Sequence, residues 1–387
     1  MSDPLKVFII AGEPSGDALG GDVMAGLKEL CPNITFQGIG GPNMQAQGLE
    51  SLFDMSELSV MGLAEILPKY RHLKRRISQT AQAVIAATPD VILTIDSPDF
   101  CLRVAKLVKT QRDIRVVHYV APSVWAWRPK RAQKMARHVD QVLALLPFEP
   151  PFMEAAGMQC SFVGHPVANT AQASRQDCAA FRMRHQIADD APLVLVLPGS
   201  RGGEVRRLSD VFGEALARFQ QTHSNARFVL PVAPSVRGLV TELTANWSVK
   251  PILIDSADHP EKLSAFGAAD IALAASGTVS LELAAAQTPM VIAYKMNWLT
   301  AAIMRRLMRV DTVTLVNLVS ETRVVPEFLM ENCTAEAVSQ GLSTLFAKPA
   351  TQSAALDITM DRLGRGQERA GLRAARAILS GITKPVG

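Results

Sequence analysis

A chain of 387 residues is long for one hydrophobic core and comfortable for two. Its 48% apolar and 20% charged residues suit a globular protein with well-buried parallel sheets and exclude a disordered one. The net charge of +4 is mild and no apolar run approaches the ~18 residues that span a bilayer, so local basic clusters at 71–76, 128–137 and 305–309 need the explanation.

The opening Met1-Ser2-Asp3-Pro4 has neither a charged n-region nor an apolar h-region, so no secretory signal is read and a cytoplasmic chain is expected. Lys6 to Ile10 then reads as a buried strand running into Ala11-Gly12-Glu13-Pro14-Ser15-Gly16-Asp17. This turn lacks both the phosphate-loop and the dinucleotide fingerprints. Either Ser15 and Asp17 cap the next helix, or Gly12, Glu13, Ser15, Gly16 and Asp17 cradle an anionic ligand. Strand runs recur at 35–39, 90–95, 115–120, 141–146 and 160–163 with helical stretches between them, which predicts β-α-β units and a parallel sheet.

Over 63–77, Leu63, Ile66, Leu67, Tyr70, Leu73 and Ile77 fall at helical spacing beside Lys69, Arg71, Lys74, Arg75 and Arg76. Such a stripe fits a helix lying in an anionic membrane surface, and it equally fits a helix whose apolar face meets the core. After strand 90–95, Asp96-Ser97-Pro98-Asp99 places two acids at a strand end: Asp96 suits a general base or a helix cap, and Asp99 a helix start. Trp125 and Trp127 precede Arg128 and a basic helix start, an arrangement for a sugar face, a phosphate or plain core packing. No recognised nucleic-acid module accompanies it.

Residues 165–170 are the candidate hinge, and a second alternating series follows at 193–197, 227–232, 252–255, 271–275 and 290–294. Its first strand runs into Pro198-Gly199-Ser200-Arg201-Gly202-Gly203-Glu204, where glycines admit a diphosphate and Arg201 offers fixed donors. A second such turn, Ser276-Gly277-Thr278, leads to Glu282, placed to accept the hydroxyls of a ribose unless it only complements the helix dipole while Thr278 caps. Domains are therefore expected at 1–168 and 169–345, facing each other across a cleft, with a helical tail over 346–387 that packs back on the first domain or reaches a partner subunit. The five scattered cysteines read as reduced and structural, and no cluster suggests a metal site.

Together these motifs resemble the bacterial lipid-A-disaccharide synthase family of GT-B glycosyltransferases. The resemblance is carried by Ala11 to Asp17, Val60-Met61-Gly62, Ile95 to Phe100, His118 to Arg128, Leu146-Pro147-Phe148-Glu149, Gly164-His165, Leu197 to Arg201, Ser276 to Thr278 with Glu282, and Asn317-Leu318. Pro14 and Ala121 are small departures. It implies a fold of two Rossmann-like domains and a metal-independent, inverting transfer. UDP-2,3-diacylglucosamine would be held in the second half, by Gly199, Ser200, Arg201, Ser276, Gly277, Thr278, Glu282 and Asn317. The acceptor, 2,3-diacylglucosamine 1-phosphate (lipid X), would lie in the first half near Gly12, Glu13, Ser15, Gly16, Asp17, Trp125 and Arg128, with Asp96 as base and a β-1,6 disaccharide and UDP as products. It further implies no cofactor, and peripheral contact with the inner membrane through Ile66, Leu67, Tyr70, Leu73, Arg75 and Arg76; from the residues themselves no nucleic-acid partner is expected, and the tail leaves a homodimer open. Two other classes would share parts of the pattern: a UDP-GlcNAc 2-epimerase or peptidoglycan glycosyltransferase, and a non-catalytic lipid or nucleotide carrier.

Overall fold

The computed structural model describes residues 3–58, 63–127, 130–297 and 307–382, with side chains of the helix Leu63–Ala87 described from Arg71 onward. The chain forms two compact units: Met1–Asn169 joined by Gly366–Gly387, and Thr170–Arg365.

The first unit is built on β1 (Leu5–Ala11), β2 (Ile34–Ile39), β3 (Val91–Ile95), β4 (Arg115–Tyr119), β5 (Gln141–Ala144) and β6 (Gln159–Phe162), ordered β2-β1-β3-β4-β5-β6. Every pairing is parallel. Helices cover such a sheet on both faces, which is why Val91 to Ile95 is buried without alternation. The chain goes from β1 to β2 on one side and to β3 on the other, so the strand order reverses between β1 and β3. Ligands of open parallel sheets bind outside the strand ends at that reversal.

The second unit uses β7 (Leu193–Leu197), β8 (Arg227–Val232), β9 (Ile252–Asp255), β10 (Ile271–Ala274), β11 (Met290–Tyr294) and β12 (Glu327–Leu329), again all parallel, ordered β12-β11-β10-β7-β8-β9. Counted from β7 this is the dinucleotide-fold order, with its reversal between β7 and β10. Val205, Leu208, Phe212, Leu216 and Phe219 recur every three or four residues along the helix Gly202–Thr222 and are buried against that sheet. Each large apolar side chain so buried contributes about 1.5–3 kcal/mol.

The predicted tail divides between the units. The helix Ser353–Arg362 belongs to the second, where Gln352, wholly buried, accepts from Met290 N at 2.9 Å and donates to Met290 O at 2.8 Å. The helix Ala370–Leu379 lies on the helix Pro14–Leu30 of the first. That contact depends on two glycines: a Cβ on Gly26 would meet Gly371 O at 2.8 Å, and one on Gly371 would meet Asp22 Cγ and Oδ2 at 2.3 Å. Asp22 accepts from Gly371 N at 2.8 Å and pairs with Arg369 at 3.0 Å.

All five cysteines are free thiols. No described helix is long and apolar enough to cross a membrane.

Candidate active site

In the second unit the loops after β7 and β10 meet at the strand-order reversal. They line a concavity of about 450 Å³ together with Pro231, Ala233, Ser256, Lys262 and Phe266. Gly199 has φ +111, a left-handed conformation that a side chain resists, and a Cβ there would also meet Glu204 Oε2 at 2.6 Å. Arg201 takes the N-cap position of the helix Gly202–Thr222 without a side-chain cap, so the first N–H groups of that helix stay open to an anion. Its guanidinium is 61% exposed and held only loosely by Glu204, at 3.7 Å.

On the facing loop Gly277 has φ +138, and a Cβ there would meet nothing within 4 Å, so the backbone is open to a ligand. Thr278 occupies the N-cap of the helix Val279–Ala285 but makes no side-chain cap. Ser276 donates to Val313 O at 3.2 Å. Glu282 is not merely a dipole complement: Lys262 Nζ lies 2.5 Å from its Oε2 and 5.3 Å from the centre of the Phe266 ring. Lys262, Ser256 and Phe266 escaped the sequence reading because they come from the turn after β9 and the helix His259–Ala268, which carry no glycine-turn signature of their own.

Asn317 stands apart from these two loops. It is buried and outside this concavity, and its amide is fully used: Nδ2 donates to Thr312 Oγ1 at 3.2 Å and Val325 O at 3.0 Å, and Oδ1 accepts from Val325 N at 3.1 Å. Thr312, Val313 and Thr314 are in turn held by the carboxylate of Glu327. Asn317 thus braces the segment that receives the Ser276 hydroxyl.

In the first unit the loops after β1 and β3 also meet at the reversal. A Cβ on Gly12 would lie 2.5 Å from Ser97 Oγ, so only glycine lets the two turns approach this closely. Asp96 and Ser97 have φ of +49 and +41, consecutive left-handed residues that cost about 1–3 kcal/mol each. Asp96 N donates to Tyr119 O at 3.0 Å. The N-cap of the helix Pro98–Lys109 is Ser97, so Asp96 does not cap it. The half-buried Asp96 carboxylate makes no hydrogen bond or ion pair with a described residue. Asp99 stands in the helix's first turn, exposed, 3.7 Å from Arg131. Behind the turn, His118 Nδ1 lies 2.7 Å from Thr94 Oγ1, and burial, helped by the Arg131 charge, pushes its pKa down to about 4.

The buried carboxylate of Asp17 is engaged across the unit: it accepts from Gly41 N at 2.8 Å, Asn43 N at 2.9 Å, Asn43 Nδ2 at 2.8 Å and Met44 N at 3.1 Å. It thereby takes up the open N–H groups at the start of the short helix Pro42–Ala46, whose N-cap residue is Gly41. Gly16 is buried against Ala11 and Ile95, Ser15 is exposed, and Glu13 is the half-buried N-cap residue of Pro14–Leu30. Trp125 stacks edge-on with Phe148 at 5.1 Å and donates through Nε1 to Glu149 Oε1 at 3.3 Å. Glu149 is 3% exposed, and burial pushes its pKa up to about 7. Arg128 lies outside the described residues.

Of the basic stripe, Ile66, Leu67 and Tyr70 have side chains outside the described set. Leu73 is half-buried, Arg75 is exposed and Ile77 joins the core. Arg76 departs from a surface role: it pairs with Glu57 at 2.7 Å and its guanidinium sits 4.3 Å over the Phe53 ring. Among the described residues no group of three His, Cys, Asp or Glu is placed to hold a metal.

A sequence model of the family described as lipid-A-disaccharide synthetase matches residues 7–379. The lipid-A-disaccharide synthase of Ruegeria pomeroyi is 60% identical over 381 residues, covering 97% of this chain and 95% of that protein. The one from Rhodospirillum centenum is 46% identical, covering 99% and 96%. Among solved structures, the UDP-GlcNAc 2-epimerase of Neisseria meningitidis bound to UDP-GlcNAc aligns at TM-score 0.66 and 13% identity over 97% of this chain and 100% of that one. A glycosyltransferase from Rickettsia africae aligns at 0.61 and 13%, covering 99% and 100%. At such identity these two structures establish the shared two-domain fold.

Proposed function

Because the chain belongs to the lipid-A-disaccharide synthase family, we propose that its two strand-order reversals divide that family's reaction between them. The chain is a glycosyltransferase that condenses UDP-diacylglucosamine with lipid X in lipid A biosynthesis. In our reading the second unit takes the donor. The diphosphate lies on the open N–H groups beyond Gly199, with Arg201 neutralising the charge that grows as UDP leaves, while Glu282, steadied by Lys262, accepts the ribose hydroxyls.

The first unit takes the acceptor. Asp96 removes the proton of its 6-hydroxyl as that oxygen attacks the anomeric carbon from the face opposite UDP, which gives the inverted β-1,6 linkage. The observation that carries this reading is the Asp96 turn: a carboxylate without a described partner, held in a strained conformation at the strand-order reversal. Incubation with both lipid substrates should release UDP in step with disaccharide. UDP release or epimerisation without acceptor would replace the reading with a hydrolase or epimerase, and tight binding without turnover would make the protein a carrier.

Both substrates carry acyl chains, so the enzyme works at the cytoplasmic face of the inner membrane by peripheral contact through the helix Leu63–Ala87. Replacing Ile66, Leu67 and Leu73 with Ser should release it from anionic vesicles, whereas unfolding with binding per molecule unchanged would place the stripe in the core. Exchange of the helix Ala370–Leu379 between two copies would preserve every contact it makes within one chain. Sedimentation of the full chain over a range of protein concentrations tests that homodimer.

A further inference from the structure

The second basic cluster of the sequence is not absorbed by the reaction. The helix Pro98–Lys109 and the stretch Lys130 to His138 form the walls of a groove of about 340 Å³ on the first unit, floored by Pro98, Leu102 and Met135. Arg103, Lys106, Arg131, Lys134, Arg137 and His138 all line it. Against these six basic side chains stands one acid in the groove, Asp99, 3.7 Å from Arg131. Arg103, Lys106, Lys134 and Arg137 are exposed and make no ion pair or side-chain hydrogen bond with a described residue. Nearby Asp113 and Asp140 are both engaged by Lys109. His138 registers the crowding: burial first, then the charges of Lys106 and Arg137, hold its pKa below the ordinary value.

Four unpaired cations converging on one concavity repel one another, and a fold gains from that arrangement only when an anion fills it. Some cations elsewhere on this unit are neutralised, Arg76 by Glu57 and Arg369 by Asp22 and Glu29, whereas these four share one concavity without a described counter-charge. The groove begins at Pro98 and Asp99, directly after the Asp96 turn, so whatever fills it lies beside the acceptor site.

We infer that the Arg103–Arg137 groove is a docking surface for the phosphates of an anionic lipid bilayer, separate from the helix Leu63–Ala87. The inference rests on the reading of the chain as an enzyme that meets its acceptor at a membrane. A bilayer fits better than a nucleic acid because an acyl-anchored acceptor can be reached only from the leaflet, and the exposed Leu107, on the same helix, adds an apolar contact at the groove's edge. Each cation near an anionic surface acts additively, and the contact should weaken with salt.

The test uses the full chain with vesicles of phosphatidylcholine alone or mixed with phosphatidylglycerol. A triple variant, Arg103→Glu, Lys134→Glu, Arg137→Glu, is compared with a Gln series at the same positions. None of these residues belongs to the donor site or touches Asp96, so UDP binding and turnover on detergent-dispersed substrates should be unchanged, which also checks folding. Partition onto anionic vesicles should fall roughly tenfold or more in the triple variant and less in the Gln series, with a shallower salt dependence. Turnover of vesicle-embedded acceptor should fall in parallel. Wild-type protein that ignores anionic vesicles would sink the membrane reading itself. Wild-type binding that the triple variant retains would overturn this groove alone and leave that reading standing. Loss of binding to a single-stranded RNA probe with vesicle binding intact would overturn it in favour of nucleic acid.

Discussion

The two units put the same device, a strand-order reversal flanked by two turns, to opposite uses. In the second unit the turns stay open: Gly277 faces empty space, Arg201 is mostly exposed, and the helix N-terminus behind it lacks a side-chain cap. In the first unit the turns are closed onto each other: Gly12 abuts Ser97, and Asp17 locks the next helix. Asp96, without a partner among the described residues, is left standing on a strained backbone. An open pair of turns suits a large anion that brings its own charge, whereas a closed pair suits one proton transfer at a fixed point. Fold alone therefore does not assign the roles; what each unit leaves unsatisfied does.

Asp96→Asn breaks the first unit's half of this contrast. It keeps the shape of the turn and removes the proton acceptor, so turnover should fall by about 10²–10⁴ while isothermal titration still shows UDP binding. Near-normal turnover would move the base elsewhere, with Glu13 and Asp99 first in line. Asp17→Ala sharpens the same half from the structural side. Stripping the buried N–H groups of Gly41, Asn43 and Met44 of their acceptor should cost about 3–4 kcal/mol in denaturant unfolding. A variant as stable as the parent would return Asp17 to the list of ligand residues.

Arg201→Ala and Glu282→Ala break the second half. Each should lower kcat/KM by about 2–4 kcal/mol in transition-state terms, with weaker UDP binding and unchanged thermal stability. The smallest expected effect is a slope. Because the folded state holds the Glu149 proton up to about pH 7 while the ordinary carboxyl releases it near 4.5, folded protein binds more protons in that window and stability declines as pH rises through it. His118 acts in reverse: neutral down to about pH 4 when folded, it makes stability rise with pH between about 4 and 6.5. Glu149→Gln should remove the first contribution, on the order of 2 kcal/mol, leaving unfolding free energy that climbs to a plateau above about pH 6.5. A variant whose stability still declines towards pH 7 would show that Glu149 is not the group responsible.

The central strands were legible because parallel sheets bury both faces, so β1, β3 and β7 are near-continuous apolar runs flanked by turn residues. β12 was not, being three half-buried residues at a sheet edge. The glycine turns and Asp96 could be found because a strand end followed by a helix start is local. What failed was long-range. Asp17 finds its partners 24 to 27 residues onward, and Arg76 is neutralised by a glutamate 19 residues earlier. Asn317 rests on the family motif, and no local pattern reveals that its amide braces Val325. Lys262 pairs with Glu282 across two helices, a juxtaposition that no spacing rule contains.

The return of the chain to its first unit sets a schedule for synthesis. The helix Ala370–Leu379 supplies Ala374, Ala375 and Ile378 to the core around β1, yet these residues leave the ribosome after the whole of Thr170–Arg365. At ordinary elongation rates of about 5–20 residues per second, the earliest-made unit waits on the order of tens of seconds for its last helix. During that interval the Gly26 face of Pro14–Leu30 is bare, and the later-made unit can complete its own core first. The nascent first half is therefore the part that a holdase chaperone would meet, and a stop codon near residue 365 would leave it permanently in that state.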